Sequence, residues 1–437
     1  MRRINLLLLL TLVLAFSCNK DKELDGDPTS NTRPNILLII ADDLGLDATP
    51  GYPIGAIKPE MPRLNALAAA GITFDQVWSF PVCSPTRASI LTGRYGYRTG
   101  VLNAEEASTI HLTETTLQTR IDESTNQAYS HAIIGKWHLS NGEPTRPTDM
   151  GVGYYAGLLG GGVQDYFTWP LTQDGQTAQY AGYITTKITD LAIDWIDQQT
   201  QPWFAWVAYT APHTPFHLPP DSLHSQGPLP TDQASIDANP LPYYMAMIES
   251  VDAEMGRLMD HLSAEELANT IVIFIGDNGT PPQVLQAPYT SGQGKGSLYQ
   301  GGIHIPMIIA GKGVTRNNVR ESGLVSTTDL FATIAELTGA DLPAWEDSYS
   351  FAPLLSQATT SARTWNYSEV LNSTPMRSGY TIRNARYKLI QFDNGNQELY
   401  DLEVDPYEQD DLLSGTLTLE QATALQELTS QAALIRQ

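Results

Sequence analysis

The chain is short of cysteine, of basic residues and of long apolar runs, and each shortage narrows what it can be. It has 2 cysteines in 437 residues, Cys18 and Cys83, so a structural disulfide is not expected. A chain of this length can bury a large core without one. Lys and Arg number 25 against 48 Asp and Glu, a formal charge of −23. That balance argues against nucleic acid as a partner, because phosphate binding needs a basic face. It also repels polyanions at long range, so an anionic ligand must be captured by local cations and a metal. The apolar run Leu6–Ala15 is too short to cross a bilayer comfortably, and no internal repeat or low-complexity tract stands out. What remains is an ordinary globular balance, 17% charged, with 34 Gly and 28 Pro marking many loops.

Arg2 and Arg3, the apolar run and Phe16-Ser17-Cys18 read as an export signal over residues 1–18. Cys18, followed by Asn19-Lys20-Asp21-Lys22-Glu23, resembles the lipidated cysteine of bacterial lipoproteins. That resemblance implies a periplasmic or outer-membrane protein that meets the membrane only through its lipid anchor. The alternative is simple cleavage nearby, with Cys18 left free or removed. Several acyl chains on one cysteine anchor stably where one does not. The polar residues 19–33 read as a flexible tether.

Asn35–Ile40 is a short, continuous apolar run that suits a strand buried on both faces, and it ends in Ala41-Asp42-Asp43. Arg63–Ala70 reads as a helix closed by Gly71, and Ile72–Trp78 as a strand. The pattern recurs. Ala132–Ile134 leads into Gly135-Lys136-Trp137-His138, Trp203–Tyr209 into Thr210-Ala211-Pro212-His213, and Ile271–Ile275 into Gly276-Asp277-Asn278-Gly279. Between them, Ile184, Ile188, Leu191 and Trp195, then Tyr244, Ile248, Val251, Met255, Leu258 and Leu262, have helical spacing. Alternating strands and helices predict an α/β fold with a largely parallel central sheet flanked by helices. In such sheets ligands bind beyond the carboxyl ends of the strands, so four strands ending in polar side chains predict one shared pocket. We place this catalytic domain at residues 34–345, with a helix at Asp329–Leu337. Residues 346–437 form a smaller α+β subdomain. It has strand-like pieces at Tyr380–Ile382, Tyr387–Phe392 and Glu398–Asp401, a hairpin turn at Asp393-Asn394-Gly395-Asn396, and a final helix near Leu419–Arg436.

The stretch from Pro81 to Gly93, Pro-Val-Cys-Ser-Pro-Thr-Arg-Ala-Ser-Ile-Leu-Thr-Gly, organises the rest. Ser84 can cap a helix and Pro85 suits a first turn, which places Cys83 at a helix N-terminus. Free N–H groups and the macrodipole make that a seat for an anion, and Arg87 adds a planar cation one turn on. A nucleophile in an anion seat is the simplest reading; a buried cysteine at a helix start is the bland one. Asp42, Asp43, Asp277 and Asn278 offer oxygen ligands for a hard cation. Calcium suits them best, because magnesium tends to retain waters and zinc prefers nitrogen or sulfur. Singly, such pairs are often only caps or turns. Lys136 and His138, two apart after a strand, would share a face of extended backbone.

Cys83-Ser84-Pro85-Thr86-Arg87 with Ala88-Ser89-Ile90-Leu91-Thr92-Gly93 resembles the signature of the type I sulfatases, members of the alkaline phosphatase superfamily. The resemblance implies that a maturation enzyme oxidises Cys83 to formylglycine. One hydroxyl of the hydrated aldehyde then attacks sulfur, and the other later expels sulfate. It implies that Asp42, Asp43, Asp277 and Asn278, with residue 83, hold one calcium, and that Arg87 helps ionise the attacking oxygen. Lys136 would hold the sulfate, His138 would act as base, His213 would protonate the departing alcohol, and Lys295 would neutralise sulfate charge. The recurring phrases Arg386-Tyr387-Lys388-Leu389 and Leu399-Tyr400-Asp401-Leu402 are similar to the family's C-terminal subdomain. The substrate expected is a sulfated oligosaccharide or polysaccharide fragment.

Two stretches depart from the family pattern. Ala128-Tyr129-Ser130-His131 replaces the usual Gly and Ser/Thr, and Gln300-Gly301-Gly302-Ile303-His304-Ile305-Pro306 lacks the usual Glu and Arg. The second is expected to alter pocket shape or hydrogen bonding rather than the catalytic set. Tyr154, Tyr155, Tyr166 and Trp169, with the Pro-rich residues 214–242, either line a sugar pocket or simply pack. His217, Arg98 and His304 are weaker candidates. Two rival readings stand beside the sulfatase: a phosphonate monoester or phosphodiester hydrolase of the same superfamily, and a non-catalytic lipoprotein that binds glycan.

Overall fold

Asn35–Ala41 has no polar residue after its first, the composition of a strand with no wet face. In the computed structural model, which describes residues 33–372 and 377–437, all of it is buried. Its side chains divide with period two. Leu37, Ile39 and Ala41 enter one apolar layer, and Ile36, Leu38 and Ile40 the other. The helices Pro62–Ala69, Ile184–Ile196 and Leu241–His261 cover the first layer; Cys83–Thr92, Leu117–Thr125 and Asp329–Leu337 cover the second. The sheet is thus sandwiched, as the alternating pattern requires.

The large sheet has ten strands. In spatial order they are Val319–Glu321, Gly71–Phe74, Met307–Gly311, Thr270–Gly276, Asn35–Ala41, Trp203–Ala208, Ser130–Gly135, Tyr154–Gly157, Thr168–Gln173 and Gln176–Ala181. From Thr270–Gly276 to Tyr154–Gly157 neighbours run parallel, while Met307–Gly311 and the pair at residues 168–181 run antiparallel. The expected parallel sheet is therefore parallel at its centre and mixed at its flanks. Register sets up the site. Ile40 lies opposite both Ala208 and Ile275, Ala41 opposite Gly276, and Gly135 opposite Ala208, so four strands end level with one another.

The expected strand Ile72–Trp78 divides in two. Gly71–Phe74 joins the large sheet, and Val77–Trp78 pairs with Val325–Ser326. Gly71 opens a strand instead of closing the helix. A Cβ there would stand 2.1 Å from the Ile309 carbonyl oxygen, so close strand pairing is what calls for glycine.

The C-terminal sheet is antiparallel, with strands Asn366–Val370, Gly379–Arg383, Tyr387–Phe392 and Gln397–Asp401 in chain order. The helix Leu419–Ile435 lays Ala424, Leu428 and Ala432 against its Tyr367, Ile382 and Leu389. Asn366–Val370 was not among the expected strands, because three of its five residues are polar although all are buried. Those polar groups bond to the large domain. Asn366 Nδ2 donates to the Val325 carbonyl at 3.1 Å, Ser368 Oγ to the Ser79 carbonyl at 2.9 Å, and Glu369 accepts from Tyr97 N at 2.7 Å. The small sheet is thereby fixed over the loop that leads to Cys83. The export signal, Cys18 and the tether up to residue 32 lie outside the described residues. Among the described residues no helix is long and apolar enough to cross a membrane.

Candidate active site

The level strand ends bring three pairs of polar residues to one place, and the turns that follow bind them together. Asp43 N donates to Asp277 Oδ1 at 3.0 Å, and Asn278 Nδ2 donates to Asp43 Oδ1 at 2.7 Å. Lys136 Nζ donates to Asp42 Oδ2. Lys295, from the loop after Asn278, reaches Asp43 at 2.6 Å, and His213 Nε2 lies 3.9 Å from the same carboxylate. Asp42, Asp43, Lys136, Asp277 and Asn278 are all buried.

Cys83 begins its helix, and Val82 precedes it with no side-chain cap. Ser84, expected as a cap, instead donates its hydroxyl to the His138 carbonyl at 2.8 Å. Arg87 is buried one turn on, its fork donating to Asp277 Oδ2 and to the Lys136 carbonyl, each at 2.8 Å. Burial opposes its charge, but the Asp277 and Asp42 carboxylates outweigh that and raise its pKa. The Cys83 sulfur faces His138 Nδ1 at 3.1 Å. The other ring nitrogen, Nε2, lies 3.1 Å from the Ala104 carbonyl. A carbonyl only accepts, so Nε2 carries the hydrogen and Nδ1 turns a lone pair towards residue 83. Burial, then Lys136, Arg87 and Lys295, hold His138 well below the usual imidazole range, which keeps it neutral and able to take a proton.

The charge arrangement fits a hard cation. Burial first, then Asp277, push the Asp42 carboxyl well up despite Lys136 and Arg87. Burial acts to raise Asp43 too, but Lys295, His213 and Lys136 outweigh it and hold that group low. Asp42 Oδ1 and Asn278 Oδ1 are buried without a hydrogen-bond partner, although other atoms of both side chains are engaged. Two orphaned oxygens in one carboxylate cluster are what an oxygen-seeking cation would satisfy. A histidine nitrogen is also close, since ligand atoms of Asp42, Asp43 and His213 lie within 4.8 Å of one another.

The comparisons with known proteins agree with this geometry. Residues 34–340 match the sulfatase family model, and residues 293–433 match that of the N-sulphoglucosamine sulphohydrolase C-terminal region. The chain belongs to the sulfatase family. The type I sulfatases are members of the alkaline phosphatase superfamily and sulfuric ester hydrolases, and this chain is one of them. An arylsulfatase of Klebsiella aerogenes is 25% identical over 412 residues, covering 71% of this chain and 87% of that protein. The crystal structure of Ps i-CgsB in complex with k-i-k-neocarrahexaose shares the fold, with a TM-score of 0.77 at 24% identity over 93% of this chain and 94% of that one. A structure solved with its substrate D-glucosamine-2-N,6-O-disulfate gives 0.75 at 21% identity over 93% and 98%.

Several details of this sulfatase differ from what its sequence suggests. Lys136 and His138 do not share a face of extended backbone. The strand ends at Gly135, whose φ is 109°, and His138 itself is left-handed at 57°. A Cβ at residue 135 would stand 2.0 Å from the Ala208 carbonyl oxygen, so the chain can turn there only as glycine. That turn sends Lys136 to Asp42 and His138 to residue 83. A left-handed non-glycine residue costs about 1 kcal/mol or more, which the bonds to Cys83, Ala104 and Ser84 offset.

Most of the candidate aromatic residues pack in the core, and Tyr154 borders a surface cavity beside Gly153 and Trp195. Tyr155, Tyr166 and Trp169 are buried, and Tyr154 stacks on Trp195 with ring centroids 6.4 Å apart. Tyr166 has a supporting role that sequence reasoning missed, since its hydroxyl donates to the Thr210 and His213 carbonyls and fixes the turn bearing His213. Tyr244 does the same for Asp43, donating to its carbonyl at 2.7 Å. The nearest signal for either was a tyrosine at a helical or loop position, which is too common to single out. Arg98 pairs with Asp347 and reaches the Ile435 carbonyl, joining the C-terminal helix to the body. Gln300 Oε1 accepts from Trp78 Nε1 at 2.9 Å, and its backbone N–H donates to Glu408, so an acid stands close to where the family's is missing. His304 bonds to the Asp75 carbonyl, away from Cys83.

His217 and His304 are both buried enough that their pKa values fall to about 4. An unfolded histidine titrates near 6.5, so below that pH the unfolded chain takes up protons that the native one refuses. Stability is therefore expected to fall as pH drops from about 6.5 towards 4, by up to roughly 1.4 kcal/mol per pH unit for each histidine. Urea titrations at pH 7, 6 and 5 check this. His304→Gln should flatten the slope, and an identical slope in that variant would contradict the assignment.

Proposed function

We propose that this sulfatase hydrolyses sulfate esters on carbohydrate through a formylglycine made from Cys83, with a calcium ion held by Asp42, Asp43, Asp277 and Asn278 together with residue 83. The observation that carries the reading is the pairing of residue 83 with a neutral His138 whose lone pair faces it, beside a buried cluster with two unsatisfied oxygens. When present, the formylglycine hydrate supplies an oxygen nucleophile and the cation draws charge off the sulfate group. The protein's own residues do the rest. Three carboxylates, Asp42, Asp43 and Asp277, stand against three cations, Arg87, Lys136 and Lys295, so the side chains alone are balanced. A dication would leave the site positive, which suits a sulfate monoanion in a chain that otherwise repels one. Lys136 and Lys295 hold the anion from two sides, and Arg87 stabilises charge on the attacking oxygen.

His213 Nδ1 donates to the Thr214 carbonyl at 2.7 Å, which fixes the ring and leaves Nε2 facing the cluster. Burial, then Lys136 and Lys295, push its pKa down to about 3 against the pull of Asp43. A bound sulfate ester adds negative charge there and acts in the opposite direction, as a general acid at Nε2 requires. His138 takes the proton from residue 83 when sulfate is released. The assignment to carbohydrate is supported by the structures described above, one solved with k-i-k-neocarrahexaose and one with D-glucosamine-2-N,6-O-disulfate. Turnover of 4-nitrophenyl sulfate alongside a 4-nitrophenyl phosphodiester tests the reaction class, and faster phosphodiester cleavage would reverse the assignment. A glycan-binding role alone would not call for a base facing residue 83 and an acid across from it.

The maturation enzyme, the export signal, the anchor on Cys18 and the division of the chain near residue 345 belong to the same proposal and rest on the sequence. The cation is testable without turnover. Calcium at a hundredfold excess over its Kd should stabilise the protein by about 2.7 kcal/mol relative to a chelator, seen as a higher Tm. Magnesium should do less. Equal transitions in calcium and chelator, or a larger effect from zinc, would count against calcium.

A further inference from the structure

Beside Lys295 lies a cavity of about 620 Å³, lined by Ser297, Tyr299, Asn372, Arg377 and Phe392 among others. That volume is in the range of ligand pockets that take a sugar. It adjoins the chemistry through short links. Asn372 Nδ2 reaches the Gly296 carbonyl at 3.5 Å, next in sequence to Lys295, and Gly296 N donates to the Pro81 carbonyl at 2.8 Å, two residues before Cys83. The same Asn372 amide donates to the Arg377 carbonyl at 2.7 Å and so ties Arg377 to that wall. Two groups there lack partners. Ser297 Oγ is buried with no hydrogen bond, and the exposed Arg377 guanidinium has no ion pair or hydrogen bond among the described residues. The second is unusual in a chain with 48 acids and 25 bases, where Arg63, Arg94, Arg98, Arg316, Arg320 and Arg386 all have carboxylates. A planar cation left open in an acidic protein, lining the same cavity as Lys295, is placed to receive an anion.

We propose that this cavity takes the sugar side of the substrate and that Arg377 pairs with a second anionic group on it, a uronate carboxylate or another sulfate ester. The inference rests on the sulfatase reading and adds that the preferred substrate is doubly charged. Its test compares the wild type, Arg377→Ala and Arg377→Lys on three sulfated oligosaccharides: one with no other charge, one with a uronate and one with a second sulfate. 4-nitrophenyl sulfate is the reference. In Arg377→Ala the ratio of kcat/KM for a doubly charged sugar to that for the singly charged sugar should fall about ten- to hundred-fold, mainly through KM. Arg377→Lys should keep part of the preference. Whichever doubly charged sugar shows the drop identifies the second group. An unchanged ratio, with the wild type active, overturns this inference alone. A wild type inert on all four esters overturns the sulfatase reading itself.

Discussion

Cys83→Ala is expected to reduce aryl sulfate turnover to background, a loss on the order of a millionfold, as when the nucleophile of a covalent mechanism is removed. The fold should survive. The side chain is small and buried at the first turn of its helix, and among the described residues its one hydrogen-bond contact is with His138 at 3.1 Å. Arg87, Lys136 and the carboxylates keep their mutual bonds without it, so a calcium-dependent rise in Tm should remain in the variant, smaller by the loss of residue 83 as a ligand. Loss of turnover with a calcium response still present separates removal of the nucleophile from collapse of the site. Appreciable turnover by Cys83→Ala would mean that another group attacks sulfur, and the proposed mechanism would have no nucleophile. A second readout is the chemical state of residue 83 after expression with a maturation system, where mass spectrometry should find an aldehyde. A free thiol in active protein would be equally damaging.

Why the candidate residues could be named from sequence, while the way some of them are aimed could not, follows from where each gets its geometry. Asp42, Asp43, Asp277 and Asn278 follow apolar strands, and a parallel sheet carries strand ends to a common edge whatever the loops do. Position in the sequence thus fixed position in space. Cys83 begins a helix for equally local reasons, though its Ser84 spends its hydroxyl on His138 rather than on a cap. His138 shows the limit. Its alignment depends on a left-handed turn after Gly135, itself imposed by the Ala208 carbonyl on a neighbouring strand, and no local pattern contains that strand. Asn366–Val370 escaped notice for the opposite reason. Its polar side chains are buried against the large domain, so hydrophobic alternation was absent although the strand is well made. The aromatic-rich residues 151–170 left two readings open. Tyr155, Tyr166 and Trp169 are committed to the core while Phe167 is exposed, and the useful feature of that segment is its run of glycines.

Gly161→Ala should be strongly damaging although it removes no functional group. A Cβ at residue 161 would lie 2.3 Å from His138 Cε1 and Nε2, far inside contact distance. The backbone at 161 is not in the left-handed region, so alanine meets no conformational penalty of its own and the whole effect falls on the imidazole. His138 has little freedom to yield, held by Cys83 at one nitrogen, by Ala104 at the other and by Ser84 at its carbonyl. If the ring moves by about 1 Å, kcat is expected to fall roughly a hundredfold or more, with KM for an aryl sulfate much less affected. Overpacking of this kind costs about 1–3 kcal/mol in stability, which a fold with two full apolar layers can absorb. The neighbouring glycines grade the effect. At Gly162 the added carbon would come within 3.1 Å of His213 Cε1, a tight fit that predicts a smaller loss, whereas at Gly160 the nearest atom, the Gly162 carbonyl oxygen, is 3.9 Å away and alanine should be silent. The order of kcat is therefore expected to run Gly160→Ala, Gly162→Ala, Gly161→Ala from highest to lowest, with all three variants folded by thermal melting. Should Gly161→Ala turn over as fast as Gly160→Ala, the imidazole must have room to move without cost, and the placement of His138 as the base for residue 83 would be wrong.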